Sequence, residues 1–100
     1  MPYVRLALVI PKPEHSEQVR RLQHDLLRFD RTLPGFLEGS FIEAGAGSGR
    51  LGRLTFWQAK ADADHAAQQP HTLSLRATLL ALIEEGPTAH VEAGLEATSV

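Results

Sequence analysis

The segment "FLEGSFIEAGAGSGRLGRLTFWQ" (residues 36–58) contains two strand-like runs joined by a glycine-rich turn. The first run is "FLEGSFIEA" (36–44), and the second is "LGRLTFWQ" (51–58). Two short runs with a glycine-rich link between them predict a β-hairpin. In the second run Leu54 and Phe56 share one face, whereas Arg53, Thr55 and Trp57 share the other.

Helix and strand patterns flank this hairpin on both sides. Before it, the alternating run "YVRLALVI" (3–10) predicts a strand, and apolar residues at steps of three and four predict an amphipathic helix over about 14 to 32. After it, we expect a short helix over about 62 to 69 with Asp62 as its N-cap, a break at Pro70, and a longer helix over about 71 to 85. "TAHVEAGLE" (88–96) predicts the last strand, and a tail follows from about 96 to 100.

The resulting order, β-α-β-β-α-β, predicts an α+β fold of the ferredoxin-like kind in a single domain over residues 1–100. Both helical segments should cover one face of a four-stranded antiparallel sheet. We expect them to cover the apolar face of the first strand, formed by Val4, Leu6, Leu8 and Ile10. The face left open would then carry Tyr3, Arg5, Ala7, Val9, Arg53, Thr55 and Trp57. A half-apolar open face favours cover by a second copy, and hence a two-fold homodimer.

Composition excludes several classes of function. The chain has 100 residues, a net charge of −2 and no Cys, so disulfides, thiolate nucleophiles and Cys-based metal sites are ruled out. A slightly acidic chain has no broad positive field, and we expect no nucleic-acid or anionic-membrane surface. No apolar run approaches the roughly 20 residues of a membrane helix, and the N-terminal run has no signal-peptide cleavage pattern. These features predict a cytoplasmic protein.

Two motifs have a chemical and a structural interpretation. Gly47 to Gly52 match the G-x-G-x-x-G phosphate-binding pattern, but a strand rather than a helix follows them, which favours a hairpin turn. His65 and His71 lie six residues apart with Pro70 between them, a spacing that suits no helical ligand pair. We therefore predict no metal site, although the pKa of imidazole lets either His act as a base near neutral pH.

The candidate binding residues are Arg5, Thr55 and Trp57, on the face that is predicted to stay open. Trp57 is the only Trp, and it packs in the core or lines a pocket. Arg5 must be paired or hydrated, and it either holds an anionic or phenolate-like ligand or pairs with Glu38 or Glu92. His65 in its Ala-rich helix is otherwise a half-buried residue that bonds across an interface, and His71 otherwise only begins the next helix.

Together, these stretches resemble the antibiotic biosynthesis monooxygenase (ABM) domain of the dimeric α/β-barrel superfamily. The resemblance is carried by Pro34-Gly35 before the second strand, Trp57 at the end of the third, His65 in the following helix, and Pro70-His71. It covers about residues 3 to 95. Thr55 stands where many members of the family carry a Glu, and the chain has no Asn, the residue that haem-degrading members use on their first strand.

The resemblance implies a homodimer whose two sheets face each other, with a pocket in each subunit between sheet and helices. Some members oxidise phenols or quinols with O2 without metal, flavin or haem. By this resemblance His65 or His71 would be the base, Arg5 and Thr55 would bind the substrate anion, and Trp57 would form a wall of the pocket.

Two functions follow as hypotheses. The first is a cofactor-independent monooxygenase that acts with O2 on a small aromatic or quinol-like compound. The second is a non-catalytic dimeric module that binds a small molecule or acts as an accessory protein, favoured by the missing carboxylate at Thr55.

Overall fold

The structure, a computed structural model, describes residues 2–45 and 49–98. Its strands are β1 (Tyr3–Val9), β2 (Phe36–Glu43), β3 (Leu51–Trp57) and β4 (His90–Glu96). Its helices are α1 (Ser16–Asp30), α2 (Lys60–Ala67) and α3 (Pro70–Leu80), and a short 3₁₀ helix, Pro13–His15, precedes α1. No helix within the described ranges is long and apolar enough to cross a membrane.

The four strands form one antiparallel sheet in the order β2-β3-β1-β4. Arg5 in β1 lies opposite Thr55 on one side and Gly94 on the other. This arrangement confirms the predicted α+β fold of the ferredoxin-like kind, and the pairing of β2 with β3 confirms the predicted hairpin. Gly47 and Ser48, which belong to the G-x-G-x-x-G pattern and to the hairpin turn predicted in its place, lie outside the described residues.

The prediction of which face the helices cover was wrong. Tyr3, Ala7 and Val9 of β1 are buried, and so are Thr55 and Trp57 of β3. The helices therefore cover the face that the sequence assigned to the outside. The cause is that both faces carry bulky apolar side chains, so period-two alternation separates the faces without identifying the inner one.

The opposite face of the sheet, here called the open face, is apolar over β1, β3 and β4 and partly polar on β2. The apolar residues of the three strands alternate with the buried set and pair in register: Val4, Leu6, Leu8, Leu54, Phe56, Val91, Ala93 and Leu95. On β2 the same face carries Glu38, Ser40 and Ile42. Leu95 is 58% exposed and Val91 is 37% exposed, so this face places apolar surface in contact with solvent.

An apolar core fills one end of the helix-covered face. It consists of Val9, Val19, Leu26, Leu51, Leu79 and Ile83, all buried. Val19 and Leu26 of α1 and Leu79 of α3 are each at most 3% exposed. Full burial of such side chains stabilises a fold by about 1.5–3 kcal/mol each, so this end holds the helices to the sheet.

The turn after α1 explains why α2 starts earlier than predicted. Gly35 adopts φ +82°, a left-handed conformation that favours glycine, and a Cβ there would lie 2.2 Å from Cγ of Asp62. Asp62 thus packs against the turn. Helix α2 begins at Lys60 after Ala59, so the prediction of Asp62 as N-cap was wrong.

Helix α3 begins as predicted and ends five residues early. Pro70 occupies its first turn, where the missing N–H is harmless, which confirms the predicted break. The predicted end near residue 85 was wrong, because the chain after Leu80 pairs with the segment that follows β1. Ile83 forms a bridge with Pro11, and the Glu84 N–H donates to the Ile10 carbonyl at 2.8 Å.

Candidate functional site

A cleft lies between the sheet and the helices at the end opposite the apolar core. Its enclosed volume is about 40 Å³, and the open space at its mouth brings the total to about 460 Å³. Its small and apolar lining residues are Ala7, Trp57, Ala63, Ala66 and Ala67. Its polar lining residues are Arg5, Asp30, Arg53, Thr55, Thr72, Arg76 and Glu92. A concave site with an aromatic wall and a few convergent polar groups is typical of small-molecule binding.

Trp57 forms the fixed wall of this cleft. Only 2% of its surface is exposed, and its indole Nε1–H donates to Oγ1 of Thr55 at 3.0 Å. The ring of Phe36 meets it edge-on at 5.4 Å between centroids, with the planes at 88°. Ala63 and Ala66 of α2 are buried in the same cluster as the indole. The wall is thus rigid and its polar atom is already bonded.

A buried ion pair spans the cleft from strand to helix. Nη1 of Arg53 in β3 lies 3.2 Å from Oδ2 of Asp30 at the end of α1, and the two side chains are 13% and 6% exposed. The Arg53 Nε–H also donates to Oε1 of Gln23 at 2.8 Å. Such a pair is held in one geometry by its additional hydrogen bond.

Burial dominates the protonation behaviour of this pair. Desolvation raises the pKa of Asp30, although the positive charge of Arg53 opposes the rise. Desolvation likewise lowers the pKa of Arg53 against the favourable effect of Asp30. In both residues the loss of water outweighs the attraction, as is common for buried pairs. A buried carboxyl with a raised pKa is a suitable proton acceptor at a reaction site.

Two further ion pairs stand at the sides of the cleft. Nη2 of Arg76 in α3 lies 3.0 Å from Oε1 of Glu92, which is also 3.4 Å from Nε2 of His90. On the other side, Nη1 of Arg5 lies 3.3 Å from Oδ1 of Asp64. The two alternatives that the sequence offered as partners of Arg5, Glu38 and Glu92, were therefore wrong.

Lys60 competes for the partner of Arg5. Its Nζ donates to the second carboxylate oxygen of Asp64 at 2.8 Å. This hydrogen bond, more than the contact with Arg5, lowers the pKa of Asp64. The side chain of Arg5 is 31% exposed, so its remaining donors stand at a partly hydrated edge of the cleft.

Thr72 carries an unsatisfied polar atom. Its side-chain oxygen is buried and has no hydrogen-bond partner anywhere in residues 2–45 and 49–98. Leaving such a group unsatisfied costs about 1–3 kcal/mol, which a protein rarely tolerates without a reason. Thr72 lies four residues before Arg76 on α3, so the two side chains share one face of the helix.

The two candidate histidines lie outside the described lining of the cleft. His65 is exposed, and its Nε2 lies 3.0 Å from Nε2 of Gln69. His71 is also exposed, and its ring packs on Phe29 with 4.5 Å between centroids. Within the described ranges no three His, Cys, Asp or Glu side chains are grouped so that they could hold a metal ion.

The structure thus brings together Arg5, Thr55 and Trp57 but not the histidines. It adds five polar residues that sequence reasoning did not select as site residues: Asp30, Arg53, Thr72, Arg76 and Glu92. A signal for them exists in the sequence. The inward stripe of α1 contains Val19, Gln23, Leu26 and Asp30, and that of α3 contains Thr72, Arg76 and Leu79. Polar residues at these apolar positions mark a site.

Solved structures with the same architecture are found in several organisms. The protein Rv0793 from Mycobacterium tuberculosis superimposes with a TM-score of 0.86 at 20% identity, over 100% of this chain and 98% of that chain. A structure named antibiotic biosynthesis monooxygenase gives 0.79 at 20% identity, over 99% and 100%. SnoaB, a cofactor-independent oxygenase from Streptomyces nogalater, gives 0.72 at 17% identity, over 99% and 93%.

Similarity in sequence alone is much weaker. No family model matches the chain, and no curated protein matches it. The structural likenesses nevertheless extend over nearly its whole length, at identities of 20% or less. They confirm the fold that the sequence resemblance implied: the chain shares its fold with the antibiotic biosynthesis monooxygenases.

Proposed function

We propose that the protein is a monooxygenase that acts with O2 on a small aromatic or quinol-like compound without a cofactor. The observation that carries this proposal is the cleft itself, in which the buried carboxyl of Asp30 lies in a lining shared with the indole of Trp57. The shared fold with a protein named a cofactor-independent oxygenase supports it.

The reaction requires little from the protein beyond a base and a shaped, dry site. Deprotonation gives an electron-rich substrate anion, which itself donates an electron to O2. Insertion at a ring methylene then converts CH₂ and O2 into a carbonyl group and one water. Asp30 is the proton acceptor in this scheme, Arg5 holds the anion, and Trp57 forms the wall.

His65 and His71 are the alternative bases that the sequence favours. Both are exposed, so a proton would have to reach them through water or a movement of α2 and α3. The buried position of Asp30 favours the carboxylate, because its raised pKa brings it closer to the working pH.

The test is O2 uptake with dithranol and a dihydroxynaphthalene in the presence of a metal chelator. Wild type should consume O2, and Asp30→Asn, which keeps the shape of the carboxyl, should reduce kcat by about a hundredfold or more. The double variant His65→Ala, His71→Ala should retain activity. If the double histidine variant lost activity and Asp30→Asn kept it, a histidine would be the base. If wild type consumed O2 no faster than Asp30→Asn and no faster than the double variant, the oxygenase proposal would be contradicted.

A second candidate function is a binding module without catalysis. It is favoured by the pairing of both carboxylates in the cleft, Asp30 with Arg53 and Glu92 with Arg76, because a paired carboxylate is a weaker base. Thermal stabilisation by ligands without O2 uptake would support this function.

We also propose that a second copy of the chain covers the open face. Leu6, Leu54 and Leu95 belong to a continuous apolar surface there, and a two-fold axis would pair such a surface with itself. Light scattering after size exclusion should give about twice the chain mass of 11.0 kDa. A monomer would contradict the proposal.

A further inference from the structure

Helix α3 presents a hydroxyl and a guanidinium to the cleft, one turn apart. Thr72 is 4% exposed and its oxygen is the buried side-chain atom without a partner in the described residues. Arg76 donates to Glu92 through Nη2 at 3.0 Å. A guanidinium has five N–H donors in a planar fork, so this contact orients Arg76 without exhausting it.

The charges around the cleft favour an anion. Three cationic side chains line it: Arg5, Arg53 and Arg76. Two carboxylates oppose them: Asp30 and Glu92. The site is therefore one charge positive in a chain whose net charge is −2. Positive charge concentrated in a concave, poorly hydrated site attracts anionic ligands more strongly than the same charge on a surface.

We propose that the ligand of this cleft is an aromatic carboxylate, with its carboxylate bound by Arg76 and Thr72 and its ring beside Trp57. The planar fork of Arg76 matches the two oxygens of a carboxylate, and the hydroxyl of Thr72 donates to one of them. Arg76, Thr72 and Trp57 line the same cleft, and its open mouth leaves space for the ring. This inference rests on the proposed function only in that it uses the same cleft, and it does not require the oxygenase reaction.

Binding, measured apart from turnover, tests the proposal. The probes are 2-naphthoate and 2-naphthamide, which have the same shape and differ in charge. Isothermal titration of the full chain should give a Kd for the carboxylate about tenfold or more below that of the amide. Equal affinities, or no binding of either probe, would overturn the proposal.

Two variants test whether the preference for 2-naphthoate over 2-naphthamide comes from α3. Arg76→Gln should weaken 2-naphthoate about tenfold and leave 2-naphthamide almost unchanged. Thr72→Val keeps the shape and removes only the hydroxyl, so it should weaken 2-naphthoate severalfold without lowering the melting temperature. Arg28→Gln is the matched control, since Arg28 is 71% exposed on α1 and pairs with Asp25. Unchanged 2-naphthoate affinity in both α3 variants would contradict the assignment.

This test separates the ligand from the reaction. Selective binding of 2-naphthoate with no O2 uptake on any substrate would support the carboxylate site and contradict the oxygenase. If Arg76→Gln left O2 uptake unchanged and the two probes bound equally, the oxygenase would be supported and the carboxylate site would be contradicted.

Discussion

The two faces of the sheet reverse the usual distribution of polarity. The helix-covered face carries Arg5, Arg53 and Thr55 in its central part, whereas the exposed open face carries Leu6, Leu8 and Leu54. A protein normally buries its apolar residues and exposes its charges. The buried polar groups surround a cleft, and the exposed apolar surface is the one that we propose a second copy covers.

The helix-covered face itself divides into two ends. One end is apolar and includes Val19, Leu26 and Leu79, and it stabilises the fold. The other end contains buried charges and the unsatisfied hydroxyl of Thr72, which lower stability. The apolar end of the helix-covered face thus stabilises the fold, and the other end contains the candidate site.

The largest effect on folding should come from breaking the buried ion pair. Asp30→Ala leaves Arg53 charged at 13% exposure, and the expected loss in free energy of unfolding is about 3–5 kcal/mol. Chemical denaturation of wild type and variant measures it. Asp25→Ala, which removes an exposed pair with Arg28, should change stability by less than about 1 kcal/mol. Similar losses in both variants would contradict the expected difference between the buried and the exposed ion pair.

A charge on the open face should separate the copies without unfolding them. Leu6→Glu places a carboxylate in the centre of the apolar surface, opposite Leu54 and Ala93. The mass from light scattering should fall to that of one chain, 11.0 kDa, while circular dichroism keeps its wild-type form. A variant that remains dimeric would place the interface elsewhere.

Asp30 should make stability depend on pH in an unusual direction. Its pKa in the folded protein is raised by burial, so the folded state holds a proton that the unfolded state has released. The contribution of Asp30 to stability is therefore fully present below the ordinary aspartate pKa of 3.8 and is lost as pH rises through the raised pKa. Denaturation curves measured as pH rises from 3.8 through the raised pKa should show wild type losing stability relative to Asp30→Asn. A difference that stays constant with pH would exclude a raised pKa.

The smallest effect on stability should come from Thr72→Val. The variant removes a buried hydroxyl that has no partner in the described chain, so stability should stay equal or rise by up to about 1 kcal/mol. Thermal denaturation measures the change, with Thr78→Val on the exposed side of α3 as the comparison. A clear loss in Thr72→Val would show that the hydroxyl is bonded in the folded protein.

Local periodicity was sufficient to predict the elements and their order. The hairpin, the break at Pro70 and the first helix all depend on residues close in sequence, and the structure confirms them. The end of α3 was not predictable in this way, because Ile83 and Glu84 leave the helix to pair with the segment around Pro11. Contacts between distant segments decide such ends.

The site was predictable in part, for a related reason. Trp57, Arg5 and Thr55 belong to one strand-face pattern, and the structure brings them into one cleft. Asp30 and Arg76 belong to the inward stripes of two different helices, so only the packing of α1 and α3 on the sheet reveals that they meet. The choice of inner face failed because apolar residues were assumed to be buried.

The central claim is that a ligand binds in the cleft on the helix-covered face and not on the open face. Its most direct test is an NMR titration of nitrogen-labelled protein with 2-naphthoate. Trp57 is the only Trp, so its indole N–H gives a single resolved signal inside the cleft. The account predicts that this signal and the amides of Ala63 and Ala66 shift on saturation, while the amides of Leu6 and Leu95 on the open face do not. Shifts confined to the open face, with the Trp57 signal unmoved, would contradict it.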